Sequence, residues 1–539
     1  MNDALDRLAR AYGIAPTYVS ERGGERIVSD ESKRSLLRAL GVTAGTDREI
    51  AAALAAAPEP REIDARNPPR CFVPGWLAGG RAWGVTCQLY GLKSARNWGI
   101  GDFADLARLA ELAAAAGADF VGVNPLHALF LADPSRFSPY APSSRLFLNP
   151  LYISVDAETS ADPARLETVR TTDLVEYELV ARLKLAALER QHGEFVRHGD
   201  EAAKASFEEF CAGRGAPLHW FALYEALSEH LVSQGHPAGW HGWPEPYRRR
   251  DGAEVTRFAR ENGDRIAFHK WLQWVAESQL KEVQSRARAA GMRIGLYLDL
   301  AVGVAPDGAD TWADAGAVLA GARLGCPPDM FNEAGQEWGL APLSPIGLLA
   351  RDFEPWRFVL DELMRAAGAV RIDHARGLTR LFLIPDGAEA KEGAYLAYPL
   401  AGMLRVLAEI SQRRRTVVIG EDLGTVPAGF RDVMHEAEIQ GYRVFYFERE
   451  QNGWFRAPEA YARRALACLS THDLPTLRGW WAGTDIGARE RLGWYSAEQA
   501  AELRKARAGD RLLLLAALRH AGVLPDACEP LLSGGAPCP

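Results

Sequence analysis

A chain of 539 residues carries 62 Lys and Arg against 70 Asp and Glu, a formal net charge of -8, with the two signs mixed along its length. That balance argues against nucleic acid or an anionic membrane surface as a partner, and no apolar stretch reaches the roughly 18 residues of a membrane span. Seven cysteines without CxxC pairs in so long a chain point to a reducing cytoplasm and away from a disulfide framework.

Residues 1 to about 48 predict a small helical module. In "SDESKRSLLRALGV", Ser29 or Asp30 caps a helix whose apolar Leu36, Leu37 and Leu40 precede Gly41. "AAALAAAPEPREIDARNPPR" then reads as a linker, because its prolines cannot extend a helix. Module and linker together are placed at 1–62, with a second domain over 63–539.

From residue 81 onward seven apolar runs alternate with amphipathic segments: "WGVTCQLYGL", "DFVGVNPLHAL", "RIGLYLDLAV", "AVRIDHARGL", "TVVIGEDLG", "YRVFYFERE" and "ALACLSTHD". Strands apolar on both faces and separated by helices imply a parallel sheet covered by helices, an α/β fold. Asp299, Asp373, Glu421 and Asp473 end four of these runs, where a (β/α)8 barrel presents its chemistry. A doubly wound sheet is the competing architecture, but no GxGxxG turn follows the first run.

Residues 155–288, between the second and third runs, read as a large helical insertion. There Asp173 and Glu176 have capping-box spacing, and Val175, Leu179, Leu183 and Ala186 fall on one helical face. Most of Trp220, Trp240, Trp243, Trp271 and Trp274 are expected in cores. After Trp481 the pattern is helical again and then stops at "LPDACEPLLSGGAPCP", so the eighth strand of a barrel is expected to be missing from this chain.

Alternate positions of a strand share a face, so Arg371 and Asp373 point the same way, and the arginine favours the charged form of the aspartate. Alone, Arg-x-Asp reads first as a structural ion pair, since such pairs are common at strand ends. Glu421 adds a second carboxylate 48 residues on, about one strand-helix unit. Neighbouring parallel strands lie about 4.8 Å apart, which suits the carboxyl spacing of about 5 to 5.5 Å in retaining glycosidases better than the wider inverting arrangement. His472 and Asp473 before Pro475 offer a third candidate, or simply a turn with a satisfied imidazole.

The blocks "SPYAPSSRLFLNPLYI", "GLYLDLAVGVAPDGADTW", "PPDMFNEAGQEWGLAP", "VRIDHARGL", "IGEDLGTVP" and "STHDLPTLRGWW" resemble, in order, those of the amylomaltases or 4-α-glucanotransferases, glycoside hydrolase family 77 of the α-amylase clan. The likeness covers most of residues 70 to 520, and the N-terminal module resembles an extension found in one bacterial branch. The resemblance implies a (β/α)8 barrel and a retaining transfer of α-1,4-glucan segments between maltooligosaccharides, with Asp373 as nucleophile, Glu421 as general acid/base and Asp473 as transition-state stabiliser. It also implies that Arg371 and His472 support these carboxylates, that Ser138 and Tyr140 line the donor site, that Asp299 is the acidic residue at the third strand end, and that Gln336 and Trp338 belong to a loop over the glucan. Two alternatives stay open: an α-glucan hydrolase of the same clan, and an inactive, truncated glucan-binding protein. No metal or organic cofactor is expected, since HExxH, calcium-loop and Walker motifs are absent.

Overall fold

The computed structural model describes residues 3–19, 24–57, 67–156, 159–328, 334–424 and 426–528. The centre of the expected linker, 58–66, and the closing "SGGAPCP" lie outside the described residues. The chain forms two compact units, Met1–Val418 with Glu436–Glu438, and Ile419–His435 with Ile439–Pro539.

The first unit is built on strands β1 (Gly84–Cys87), β2 (Phe120–Val123), β3 (Gly295–Leu300) and β4 (Ala369–Ile372), which pair in parallel in that order. β5 (Val417–Gly420) comes next beside β4 and carries the chain into the second unit. Strand order follows chain order without the reversal of a doubly wound sheet. Every residue of β2, β3, β4 and β5 is buried, as their unbroken apolar runs require. The helices that supply this cover include Phe103–Ala115 after β1, Gly263–Ala289 before β3, Glu354–Met364 before β4 and Leu400–Arg414 before β5.

Between β2 and β3 the chain is mainly helical, with Pro163–Thr171, Tyr177–His198, Glu201–Ser233, kinked at Gly215, Ala253–Glu261 and Gly263–Ala289. Helix Tyr177–His198 departs from expectation in two ways. Glu176 occupies the N-cap without a side-chain bond, and the buried stripe is Val180, Ala181, Lys184, Ala187 and Leu188, turned by one position. The reason is Lys184, which is fully buried with Nζ donating to the Leu151 carbonyl at 2.6 Å, so a charged residue belongs to the inward face. Trp243 and Trp271 are buried, and Trp243 packs with Tyr224 and Trp312, while Trp220, Trp240 and Trp274 are not fully enclosed.

A four-stranded antiparallel sheet, absent from the sequence expectations, lies beyond β3 and β4, in the order Ala394–Ala397, Arg380–Pro385, Ala322–Cys326, Gln336–Glu337. The N-terminal helices Asp3–Ala11, Asp30–Ala39 and Asp47–Ala55 bury Leu5, Leu8, Leu36, Leu37 and Ile50. Ser29 is the cap of the second helix, its Oγ accepting from Ser32 N at 3.0 Å. This module is sewn to the antiparallel sheet: Ala15 N donates to Tyr395 O at 2.9 Å and Ala397 N to Gly13 O at 2.8 Å.

In the second unit, strands Gly441–Val444 and Ala465–Cys468 pair in parallel, so all seven apolar runs contain a strand. Ile419 makes a parallel bridge to Gln440. Helices Leu477–Ala482, Thr484–Arg491 and Ala497–His520 follow, the last opened by a Ser496 and Gln499 capping box. Arg507 of the last ties all three together, donating to Asp485 at 2.9 and 3.1 Å and to the Trp480 carbonyl at 2.6 Å. No helix among the described residues is long and apolar enough to cross a membrane.

Candidate active site

Parallel register sets Arg371 of β4 directly opposite Asp299 of β3. Arg371 Nη1 donates to both Asp299 oxygens, at 2.9 and 3.0 Å, and Nη2 lies 2.8 Å from Asp373 Oδ1. One guanidinium thus joins the carboxylates of two neighbouring strand ends. Tyr140 Oη completes the group, donating to Asp299 Oδ2 at 3.1 Å.

Burial raises the Asp299 carboxyl above the usual range; Arg371 pulls it back and the Asp373 charge pushes it further up. Burial, with the Asp299 charge beside it, also drives the Tyr140 hydroxyl far up, so it remains a donor. Asp299 and Arg371 have side chains only 8% exposed, whereas that of Asp373 is 19% exposed. Of the two carboxylates, Asp373 is therefore the more open to an incoming group.

Asp373 is followed by His374 in the left-handed region, φ 50°. Burial, then the charges of Arg376 and Arg371, keep the His374 imidazole neutral well below its ordinary pKa. Its Nε2 accepts from Arg376 Nε at 3.1 Å, and the Trp338 ring meets it edge-on at 5.2 Å. Trp338 Nε1 in turn donates to Gln336 Oε1 at 3.2 Å. Ser138 is exposed on the loop that carries Tyr140.

Two residues not singled out in the sequence support this centre. Arg145 is buried and donates through Nη1 to the Ala301 and Val302 carbonyls at 3.1 and 3.2 Å, propping the chain just past Asp299. His127 is enclosed and neutral, its pKa lowered to about 3 by burial and by Arg145, and its Nε2 accepts from Ala301 N at 3.4 Å. A charge heading the largely apolar "RLFLNPLYI" is the available signal for Arg145.

In the second unit, Glu421 follows the end of β5 and its Oε1 accepts from Leu423 N at 2.7 Å. Asp422 turns elsewhere. Its buried carboxylate accepts from Tyr442 N at 2.9 Å, Arg443 Nη1 at 2.8 Å and Arg431 Nε at 2.7 Å, tying β5 to the next strand. His472 Nε2 lies 3.2 Å from Asp473 Oδ2, and the Asp473 side chain is 76% exposed. Among the described residues no three His, Cys, Asp or Glu side chains gather as a metal ion would require.

A family model described as 4-alpha-glucanotransferase matches residues 87–527. The 4-alpha-glucanotransferase of Mycobacterium tuberculosis is 40% identical over 481 residues, an alignment covering 85% of this chain and 65% of that protein. The Haemophilus influenzae 4-alpha-glucanotransferase is 37% identical over 484 residues, covering 86% and 69%. The chain thus spans about two thirds of the length of these relatives, just under that for the mycobacterial one. Corynebacterium glutamicum amylomaltase superposes with a TM-score of 0.83 at 29% identity, over 97% of this chain and 87% of that one. A Streptococcus agalactiae amylomaltase solved with acarbose shares the fold at a TM-score of 0.65 and 20% identity, over 80% and 84%. With an α/β architecture common to these structures and a family match over most of its length, the chain belongs to glycoside hydrolase family 77, the 4-alpha-glucanotransferases.

Proposed function

We propose that this chain moves α-1,4-glucan segments between maltooligosaccharides by retaining double displacement, as a 4-alpha-glucanotransferase. The observation that carries the reading is the Tyr140, Asp299, Arg371 and Asp373 cluster at the ends of β3 and β4 in a chain of this family. The sheet is read as part of a (β/α)8 barrel spanning 63–539, with residues 155–288 as its helical insertion and 1–62 as the N-terminal module.

Asp373 attacks the anomeric carbon while Glu421 protonates the departing glycosidic oxygen, through an oxocarbenium-like state. The first glycosidic bond breaks and a glucosyl ester to Asp373 forms. The Glu421 carboxylate then takes the proton from the 4-hydroxyl of an acceptor glucan, whose oxygen displaces Asp373 and restores an α-1,4 bond. Asp473 and His472 hold ring hydroxyls, Ser138 and Tyr140 the donor sugar, and Gln336 and Trp338 the covering loop. Water in place of the acceptor gives hydrolysis, so transfer requires an oriented acceptor hydroxyl with a high effective molarity.

Incubation with maltotriose tests the reading. The expected products are glucose and a ladder of longer maltooligosaccharides, and Asp373→Asn and Glu421→Gln each lose about a thousandfold or more of the rate with unchanged melting. Shorter sugars alone would mark a hydrolase. Comparable activity in either variant would remove that carboxylate from the mechanism.

A further inference from the structure

The loop carrying Ser138 and Tyr140 lies between the short strands His127–Ala128 and Ser144–Leu148. Its trailing end is pinned to the chain beyond β3. Ala305 N donates to Pro142 O at 2.8 Å, Asp310 N to Ser143 O at 3.1 Å and Ala309 N to Ser143 Oγ at 2.9 Å. The tip has a separate anchor. Arg136 donates Nη1 to Asp307 Oδ2 at 2.9 Å and Nη2 to Asp307 Oδ1 at 2.8 Å, a parallel two-bond fork, and its guanidinium carbon lies 3.4 Å from the centre of the Phe130 ring.

Asp307 is itself fixed from the helical insertion. Its carbonyl accepts from Tyr224 Oη at 2.8 Å and from Trp240 N at 3.0 Å. Gly239 approaches so closely that a Cβ there would stand 1.8 Å from Asp307 Oδ2, so no larger residue fits without moving the carboxylate. Tyr140 therefore hangs between two anchors, four residues past Arg136 and two before Pro142, and reaches Asp299 with its hydroxyl.

We propose that the Arg136–Asp307 pair is a positioning device for Tyr140, holding its hydroxyl on Asp299; this rests on the glucan-transfer reading above. A two-bond guanidinium–carboxylate fork fixes direction as well as distance, which a lysine cannot reproduce. Arg136 and Asp307 have side chains 34% and 23% exposed and form a two-bond pair, so exchange read segment by segment is what separates anchoring of the loop from a loss of global stability. Misplacing a binding group by about 1 Å can cost about a hundredfold in rate.

The test compares wild type with Arg136→Gln, Arg136→Lys, Asp307→Asn, Tyr140→Phe and the double variant R136Q/Y140F, using maltotriose kinetics and hydrogen exchange of residues 130–141. Arg136→Gln and Asp307→Asn are expected to lower kcat/KM about 10- to 100-fold and to speed exchange in 130–141 without a comparable change elsewhere, with Arg136→Lys intermediate. R136Q/Y140F should be little worse than Y140F, because both changes act on one contact. Wild-type kcat/KM in Arg136→Gln, or losses from Arg136→Gln and Tyr140→Phe that multiply independently, would overturn the proposal. Should wild type fail to transfer glucan at all, the functional reading fails, while unchanged exchange in 130–141 would separately sink the anchor.

Discussion

Arg371 and Asp299 face each other in register on adjacent parallel strands, and the same guanidinium that grips Asp299 with Nη1 holds Asp373 with Nη2. A planar guanidinium holds its donors in a rigid fork that spans the two carboxylates from separate nitrogens, a geometry the single nitrogen of an ammonium does not reproduce. Arg371→Lys is therefore expected to reduce kcat/KM on maltotriose by about a hundredfold or more while the protein still folds. Arg371→Met leaves two carboxylates without the cation between them and should also cost about 3 to 5 kcal/mol in urea unfolding. Near-normal activity in Arg371→Lys would reduce the arginine to a structural ion pair.

His374 combines a left-handed backbone with an acceptor bond to Arg376, directly after Asp373. Asparagine tolerates that backbone, whereas a β-branched side chain meets strain of about 1 to 3 kcal/mol. Melting temperatures should fall in the order wild type, His374→Asn, His374→Val. Equal stability of the two variants would show that the backbone there is not constrained.

Lys184 has its pKa drawn from 10.5 to about 8 by burial, against the opposing pull of Asp102 and Asp105. Between these values the unfolded chain binds the proton and the folded one does not, so this residue's contribution to stability rises with pH, by up to about 3 kcal/mol. Below the folded value the gain is absent. Urea unfolding of wild type and Lys184→Met at pH 7.5 and pH 10 should show wild type improving relative to the variant, and parallel behaviour would contradict the burial of the charge.

Asp422 titrates in the opposite sense. Burial raises its pKa, but the Tyr442 amide and the guanidinium groups of Arg431 and Arg443 outweigh that and hold it below the ordinary value. Its stabilisation is present above about pH 4, the unfolded value, and disappears as pH falls through the folded one. Asp422→Asn is expected to lose about 3 to 5 kcal/mol at neutral pH and to show a weaker acid transition. Circular dichroism between pH 2 and 7 checks both.

The core strands were legible because a strand buried on both faces must be apolar throughout, and a charge at the end of such a run, as at Asp299 or Asp373, then needs a reason. Other features left weaker marks. Arg380–Pro385 is apolar enough for a strand, but its partner Ala322–Cys326 lies far back in the chain and no local pattern announces the pairing. Lys184 lies outside the apolar stripe that the sequence suggests for its helix, although one carbonyl and two nearby carboxylates make a place for it inside. Arg136 and Asp307 are 171 positions apart, beyond the reach of any periodicity.

Strand Ala394–Ala397 is an outermost strand of the antiparallel sheet, and Gly13–Ala15 lies along it, with Ile14 bridged to Leu396. Bare sheet margins invite other molecules to add strands of their own. The leading residues of the protein therefore act as a guard rail as much as a separate module: shorn of them, copies of this chain would gain a sticky flank, and aggregation would reveal the loss before catalysis did.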